Sequence, residues 1–129
     1  MYEVAPMDRW YSQADLWAMR VGELVVVGIT DFAQQELGEI VYIELPPKGS
    51  QVVAGEAFGD IESTKTASPL VSPVSGETAR RNDLLDEEPW TVNASPYIDG
   101  WMLHVLTENQ SELSGLMTAS EYRAARGLE

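Results

Sequence analysis

The sequence predicts a mostly-β domain, a small β-sandwich or flattened barrel with a short inner helix and a helical C-terminus. Three observations carry this reading. Short runs of β-forming residues recur between residues 17 and 106, separated by Gly and Pro turns. One capped helical stretch, residues 32–37, interrupts them. The remaining helix-capping patterns lie in residues 111–127.

In chain order, residues 1–10 read as a loose lead-in. Residues 17–21 and 24–29 read as two strands joined by a Gly22-Glu23 turn, and the β-branched run Val25-Val26-Val27 predicts burial on both faces. Thr30 or Asp31 can cap the helix at 32–37, and Gly38 can end it in the left-handed conformation. A strand at 39–45 stops at Pro46-Pro47-Lys48-Gly49-Ser50. A short strand at 51–53 and a turn at Ala54-Gly55-Glu56 lead into a hairpin whose tip is Lys65.

Pro69 and Pro73 donate no backbone hydrogen bond, so the returning strand should be broken or lie at a sheet edge. Ser75-Gly76 turns into a strand at 77–81, residues 82–96 read as loop with one helical turn, and 100–106 is the last strand. Ser111 can cap one short helix, and Thr118 with Glu121 forms a capping box for another. Similar lengths of short-stranded chain on either side of Lys65 suit two like half-sandwiches meeting at one hairpin.

Length and composition bound the function. The 129 residues suffice for one domain spanning 1–129. No apolar run approaches the ~18 residues of a membrane span. The first residues form neither a secretory signal nor an Arg-rich transit segment, which points to the cytoplasm. With no cysteine, the chain has no disulfide, thiolate nucleophile or sulfur-ligated metal. His104, the one histidine, reads as a strand residue facing solvent or a polar neighbour. A net charge of −13 repels nucleic acid and favours partners with basic faces. Trp10, Trp17, Trp90 and Trp101 read as buried or partly buried packing groups, and Arg80 and Arg81 as a solvated edge near Asp83, Asp86 and Glu87.

Lys65 is the candidate functional residue. Only Lys48 and Lys65 carry primary amines on side chains. Lys65 sits among small hydroxyl residues with β-formers on both sides, which holds its amine out in solvent. Ser63, Thr64 and Thr66 let an enzyme close around the tip, Asp60 and Glu62 give it an acidic handle, and Gly76 permits a turn that would bring a second loop beside it. Such an amine suits covalent attachment of a swinging arm.

Glu62-Ser63-Thr64-Lys65 followed by Ser72-Pro73-Val74-Ser75-Gly76-Glu77 resembles the lipoylation segment of the glycine cleavage system H proteins. Val27-Gly28-Ile29-Thr30-Asp31-Phe32-Ala33-Gln34, Leu37-Gly38-Glu39-Ile40-Val41, Glu44-Leu45-Pro46, Val92-Asn93, Pro96-Tyr97, Gly100-Trp101 and Leu116-Met117-Thr118-Ala119-Ser120-Glu121-Tyr122 resemble the same family in order and spacing. The resemblance implies a lipoyl-domain-like barrel-sandwich hybrid with lipoic acid in amide linkage on Lys65. It implies a non-catalytic carrier whose partners are a lipoate ligase or lipoyl transferase, a pyridoxal-phosphate glycine decarboxylase, an aminomethyltransferase and dihydrolipoyl dehydrogenase.

Two departures stand out. Where the family has His-Glu-Trp near its start, this chain has Asp15-Leu16-Trp17, and Pro69 stands where the family often has an acid. In the family these acids help line the cleft that shelters the loaded arm. A lipoate carrier for another pathway, such as sulfur oxidation with a heterodisulfide-reductase-like complex, therefore stays open, as does an unmodified interaction module. Biotin carriers usually flank the lysine with methionines rather than Thr64 and Thr66. Lipoyl domains of 2-oxoacid dehydrogenases lack a counterpart of residues 27–45.

Overall fold

A computed structural model describes residues 5–128. Its strands form two antiparallel sheets that share one core. The larger sheet is built from β1 (Trp10–Tyr11), β2 (Leu16–Val21), β3 (Leu24–Ile29), β5 (Gln51–Val52), β8 (Gly76–Arg81) and β9 (Leu103–Thr107), in the order β1-β2-β3-β9-β8-β5. The smaller sheet has the order β4-β6-β7, from β4 (Ile40–Glu44), β6 (Ala57–Ser63) and β7 (Ala67–Val71). In place of the expected two like half-sandwiches there is a six-stranded sheet against a three-stranded one. The strands after the hairpin return to the sheet begun by β2 and β3, where Leu103 and Val105 of β9 and Thr78 of β8 are buried.

The valine run of β3 shows why both faces are covered. Val25 and Val27 point into the core between the sheets with Leu16, Ile43, Ile61, Leu70 and Leu103. Val26 points the other way, into a second cluster with Tyr11, Trp17, Tyr97 and Tyr122. Side chains alternate across a strand, so an unbroken apolar run needs cover on each side. Trp17 pairs with Gly28 in the ladder, and a Cβ on Gly28 would meet the indole at 2.7 Å. Glycine there lets the indole lie flat and donate from Nε1 to the Pro96 carbonyl, 3.0 Å away.

The expected lead-in at 1–10 is packed from Ala5 onward, with residues 1–4 outside the described residues. Ala5 is fully buried, and the buried Arg9 guanidinium lies over the rings of Trp17 and Tyr97 while bonding to Asp8 at 2.7 Å. A guanidinium tolerates this because its planar face stacks while its edge keeps a carboxylate partner.

Helix α1 (Asp31–Leu37) is capped by Thr30, whose hydroxyl accepts the Ala33 N–H. Gly38 has φ 85° and ψ −156°, outside the left-handed helical region expected for it. This is a conformation open essentially to glycine alone, and it sends the chain out extended into β4. Residues 82–96 hold two short helices, α2 (Leu84–Glu87) and α3 (Thr91–Ala94), rather than one turn. Each buries a single anchor, Leu85 or Val92, and one apolar residue per turn leaves no periodic signal in a polar run. Trp90, between them, is 54% exposed, unlike Trp10, Trp17 and Trp101.

The last strand begins at Leu103 rather than Gly100. Gly100 is used in a turn, its N–H bonded to the Ser95 carbonyl at 2.7 Å. At 110–115 the chain forms a 3₁₀ helix capped by Asn109, which accepts the Ser111 N–H, so Ser111 lies inside rather than at the cap. The final helix, α4 (Ala119–Arg126), has the Thr118–Glu121 capping box read from the sequence. Among the described residues, no helix is long and apolar enough to cross a membrane.

His104 is partly buried and has the polar neighbour expected for it, Arg80, opposite it in the β8–β9 ladder. Its ring lies 4.4 Å from that of Trp101, and desolvation, with the nearby Arg80 charge, holds its pKa below the ordinary 6.5. The unfolded chain therefore binds a proton at a higher pH than the folded one, and stability must fall as pH drops through 6.5 toward the folded value. His104→Asn is expected to flatten this part of the stability profile in chemical denaturation between neutral and mildly acidic pH.

Candidate functional site

Lys65 lies at the tip of the β6–β7 hairpin, as its neighbours predict. Ile61 and Leu70 are buried and anchor the stem in the core, whereas Thr64, Lys65 and Thr66 are exposed. The returning strand β7 is the edge of its sheet, which is where Pro69 costs no ladder bond. The tip is built around Ser63. Its N–H donates to the Thr66 carbonyl at 2.8 Å, and its hydroxyl oxygen accepts the N–H groups of Lys65 at 3.2 Å and Thr66 at 3.1 Å. The Thr64 N–H donates to the Glu39 carbonyl at 3.0 Å, so the tip is braced on the junction between α1 and β4.

That junction is itself held by Asn93 of α3. Asn93 accepts the Ile40 N–H at 2.9 Å and donates to the Gly38 carbonyl and the Gln34 side chain, each at 2.9 Å. Nothing local in the sequence marks these contacts of Asn93, whose partners lie more than 50 residues away. Its position beside Val92 in a matching dipeptide was the available signal. Asn93→Ala is expected to destabilise the protein by about 2–3 kcal/mol, because three partners lose their bonds and part-buried groups are left unpaired. In thermal unfolding this is a drop of roughly 8–10 °C.

A cleft of about 150 Å³ opens beside the hairpin, between α1, residues 14–16 and β7. It is lined mostly by apolar side chains, Leu16, Ile29, Leu37, Ile61 and Leu70 among them, with Asp15, Glu36, Ser68 and Pro69 also on its walls. Both sequence departures, Leu16 and Pro69, thus face one cleft. Ser68 and Pro69 follow Lys65 by three and four residues, about 10–13 Å along an extended strand. The Lys65 stem lies beside the end of α1: its Cε is 3.6 Å from where a Cβ on Gly38 would stand.

Asp15 has the only positive φ, 67°, among described residues other than glycine. Its Oδ1 accepts from Tyr122 Oη and from Arg126 Nε, both at 2.7 Å. With its proton given to Asp15, Tyr122 accepts from Thr30 Oγ1 at 2.8 Å. Helix α4 is thereby tied to both walls of the cleft. Burial pushes the Tyr122 hydroxyl well above the ordinary tyrosine range, so these bonds persist through neutral pH.

Of the remaining predicted site residues, Glu62, Ser63, Thr64 and Thr66 sit on the hairpin with Lys65. Gly76 does not. It opens β8 beyond the far end of β7, paired with Val52 and Thr107, and brings no loop to the tip.

The description "Glycine cleavage H-protein" belongs to a family whose sequence profile matches residues 9–127. The chain belongs to that family. A glycine cleavage system H protein from Anaeromyxobacter sp. (strain K) is 47% identical over 119 residues, 92% of this chain and 93% of the relative. One from Bacillus pumilus is 47% identical over 117 residues, covering 91% and 92%. The crystal structure of a glycine cleavage system H protein from Mycobacterium marinum superposes with a TM-score of 0.88 at 38% identity, covering 95% of this chain and 99% of that one. This H protein therefore has the lipoyl-domain-like β-sandwich that the resemblance implied.

Proposed function

We propose that this H protein is a lipoyl carrier that holds lipoate in amide linkage on Nζ of Lys65 and serves the glycine cleavage system. The observation that carries the reading is the exposed lysine at a tip pinned by Ser63 and Glu39. Acylation needs an amine that another active site can surround. The small neighbours Ser63, Thr64 and Thr66 permit this, so the residues fit the group. When bound, lipoate supplies a dithiolane that accepts an aminomethyl group and then cycles between disulfide and dithiol.

The chain's own residues do the rest by position. The stem fixes the origin of the arm, and tethering raises its concentration at each partner site. The carrier itself catalyses nothing in this reading. Glu62, Ser63, Thr64 and Thr66 form the surface that a lipoate ligase or lipoyl transferase reads. Gly76 acts at a distance, through the strand order that supports the hairpin. The partners are a pyridoxal-phosphate glycine decarboxylase, an aminomethyltransferase and dihydrolipoyl dehydrogenase, in the cytoplasm. A net charge of −13 favours basic faces on them. The glycine cleavage names of the relatives favour this reading over sulfur oxidation.

The test is direct. The purified chain is incubated with a lipoate ligase, and then with glycine and the decarboxylase. Intact mass should rise by one lipoyl group and then by one aminomethyl group. A folded chain that is never acylated defeats the carrier reading. One that is acylated but takes no aminomethyl group, beside a working control carrier, points to another pathway.

A further inference from the structure

Ser63 gives the hairpin tip its shape, but the place of the tip on the body of the protein rests on other bonds. The Ser63 hydroxyl contacts run to Lys65 and Thr66 and close within the turn. Of the hydrogen bonds made by residues 64–66 among the described residues, one reaches beyond the hairpin, from the Thr64 N–H to the Glu39 carbonyl. Glu39 lies in the short link between α1 and β4, and the sheet alone does not hold that link. The β4–β6 ladder is irregular between Ile40 and Tyr42, and the Ile40 N–H is taken by Asn93 rather than by β6.

The Asn93 side chain closes the gap. Its Oδ1 accepts from Ile40, and its Nδ2 donates to the Gly38 carbonyl and to Gln34 Oε1. Gln34 is itself held, donating from Nε2 to Asp31 Oδ1 at 2.8 Å. Both neighbours of Glu39 are therefore tied to α3, and through Gln34 to α1. The stem of Lys65 passes the same link, beside Gly38. One carboxamide meets all three partners because it carries an acceptor and two donors on one short stem.

We propose that Asn93 is a positioning residue for the acylation of Lys65: it fixes Gly38 and Ile40, and through the Glu39 carbonyl between them it fixes the point at which the amine is offered to the attaching enzyme. This rests on the carrier reading above and extends it to a residue of another helix. Without Asn93 the link at 38–40 shifts, the Thr64 bond opens more often, and the tip samples other directions. Only the correctly aimed fraction binds, so the apparent affinity falls in proportion to that fraction. Once bound, the enzyme itself holds the tip, and the chemical step proceeds as before. The signature is a raised KM with kcat kept.

The test uses the whole, unacylated chain with a purified lipoate ligase, ATP and lipoate, followed by intact mass. Wild type, Asn93→Ala, Asn93→Asp and Val26→Ala are compared at a temperature where circular dichroism shows all four folded. Asn93→Asp keeps the volume and the acceptor for Ile40 but loses both donors. Val26 lies in the second apolar cluster, away from the hairpin, so Val26→Ala destabilises through lost packing alone. Both Asn93 variants should show a KM for the chain raised about three- to tenfold, with kcat within about twofold of the wild type. Their Thr64 amide should exchange with solvent about threefold faster or more, relative to the amides of β3. Val26→Ala should change neither. An unchanged KM in the Asn93 variants, a loss confined to kcat, the same rise in Val26→Ala, or a Thr64 amide no faster than in the wild type would overturn the proposal with the carrier reading intact. Failure of the folded wild type to take the adduct would instead overturn the carrier reading, and this inference with it.

Discussion

Lys65→Arg should abolish lipoylation completely while leaving the fold as it is. The reaction needs a primary amine that can shed its proton and attack an activated acyl group. A guanidinium stays charged and delocalised and cannot replace it. The side chain is exposed and the tip's bonds come from the backbone and Ser63, so the stability change should stay within about 0.5 kcal/mol. Lys48 should not substitute. It follows Pro46 and Pro47 in a loop after β4, without paired strands to present it. Intact mass after reaction with a ligase, beside a melting curve, checks both halves. A lipoyl adduct on the variant would move the attachment site elsewhere and remove the basis of the proposed function.

Gly76→Ala should destabilise the protein strongly, by about 3 kcal/mol or more, or a fall of about 10 °C in melting temperature. A Cβ on Gly76 would stand 2.2 Å from the Leu106 carbonyl oxygen and 2.9 Å from the Thr107 Cα. Both belong to the backbone of β9, which is fixed between β3 and β8 and cannot yield. The outcome also separates two roles. If the variant melts early but is lipoylated normally while folded, Gly76 supports the hairpin from a distance. If it melts normally and is lipoylated slowly, the ligase reads Gly76 itself, and the clash argument is wrong.

Much of the site was legible because its parts are local. The hairpin tip depends on a few consecutive residues, from Ser63 to Thr66, and the small hydroxyls that suggested an open tip are the ones that build its turn. Pro69 and Pro73 called for an edge or a break, and β7 is an edge. The Thr118–Glu121 box formed because its bonds close within one turn. Errors came where the deciding contact was distant in sequence. Gly76 looked like a turn beside the tip but is held by β9. Two helices hid in residues 82–96 because each is anchored by a single apolar residue.

By itself the sequence determined that a lone amine would be offered on a β-ribbon within a mostly-β chain of the H-protein type. Strand alternation, turn chemistry and capping act over a few residues, and a single sequence displays them. Only the tertiary structure decided what surrounds that amine. Asp15 meets Tyr122 from 107 residues away, and Glu36 shares a cleft with Pro69 because α1 and β7 pack on the same core. Such meetings arise from the burial of Leu16, Ile61 and Leu70 in one interior, a cooperative outcome of the whole chain that no short stretch encodes.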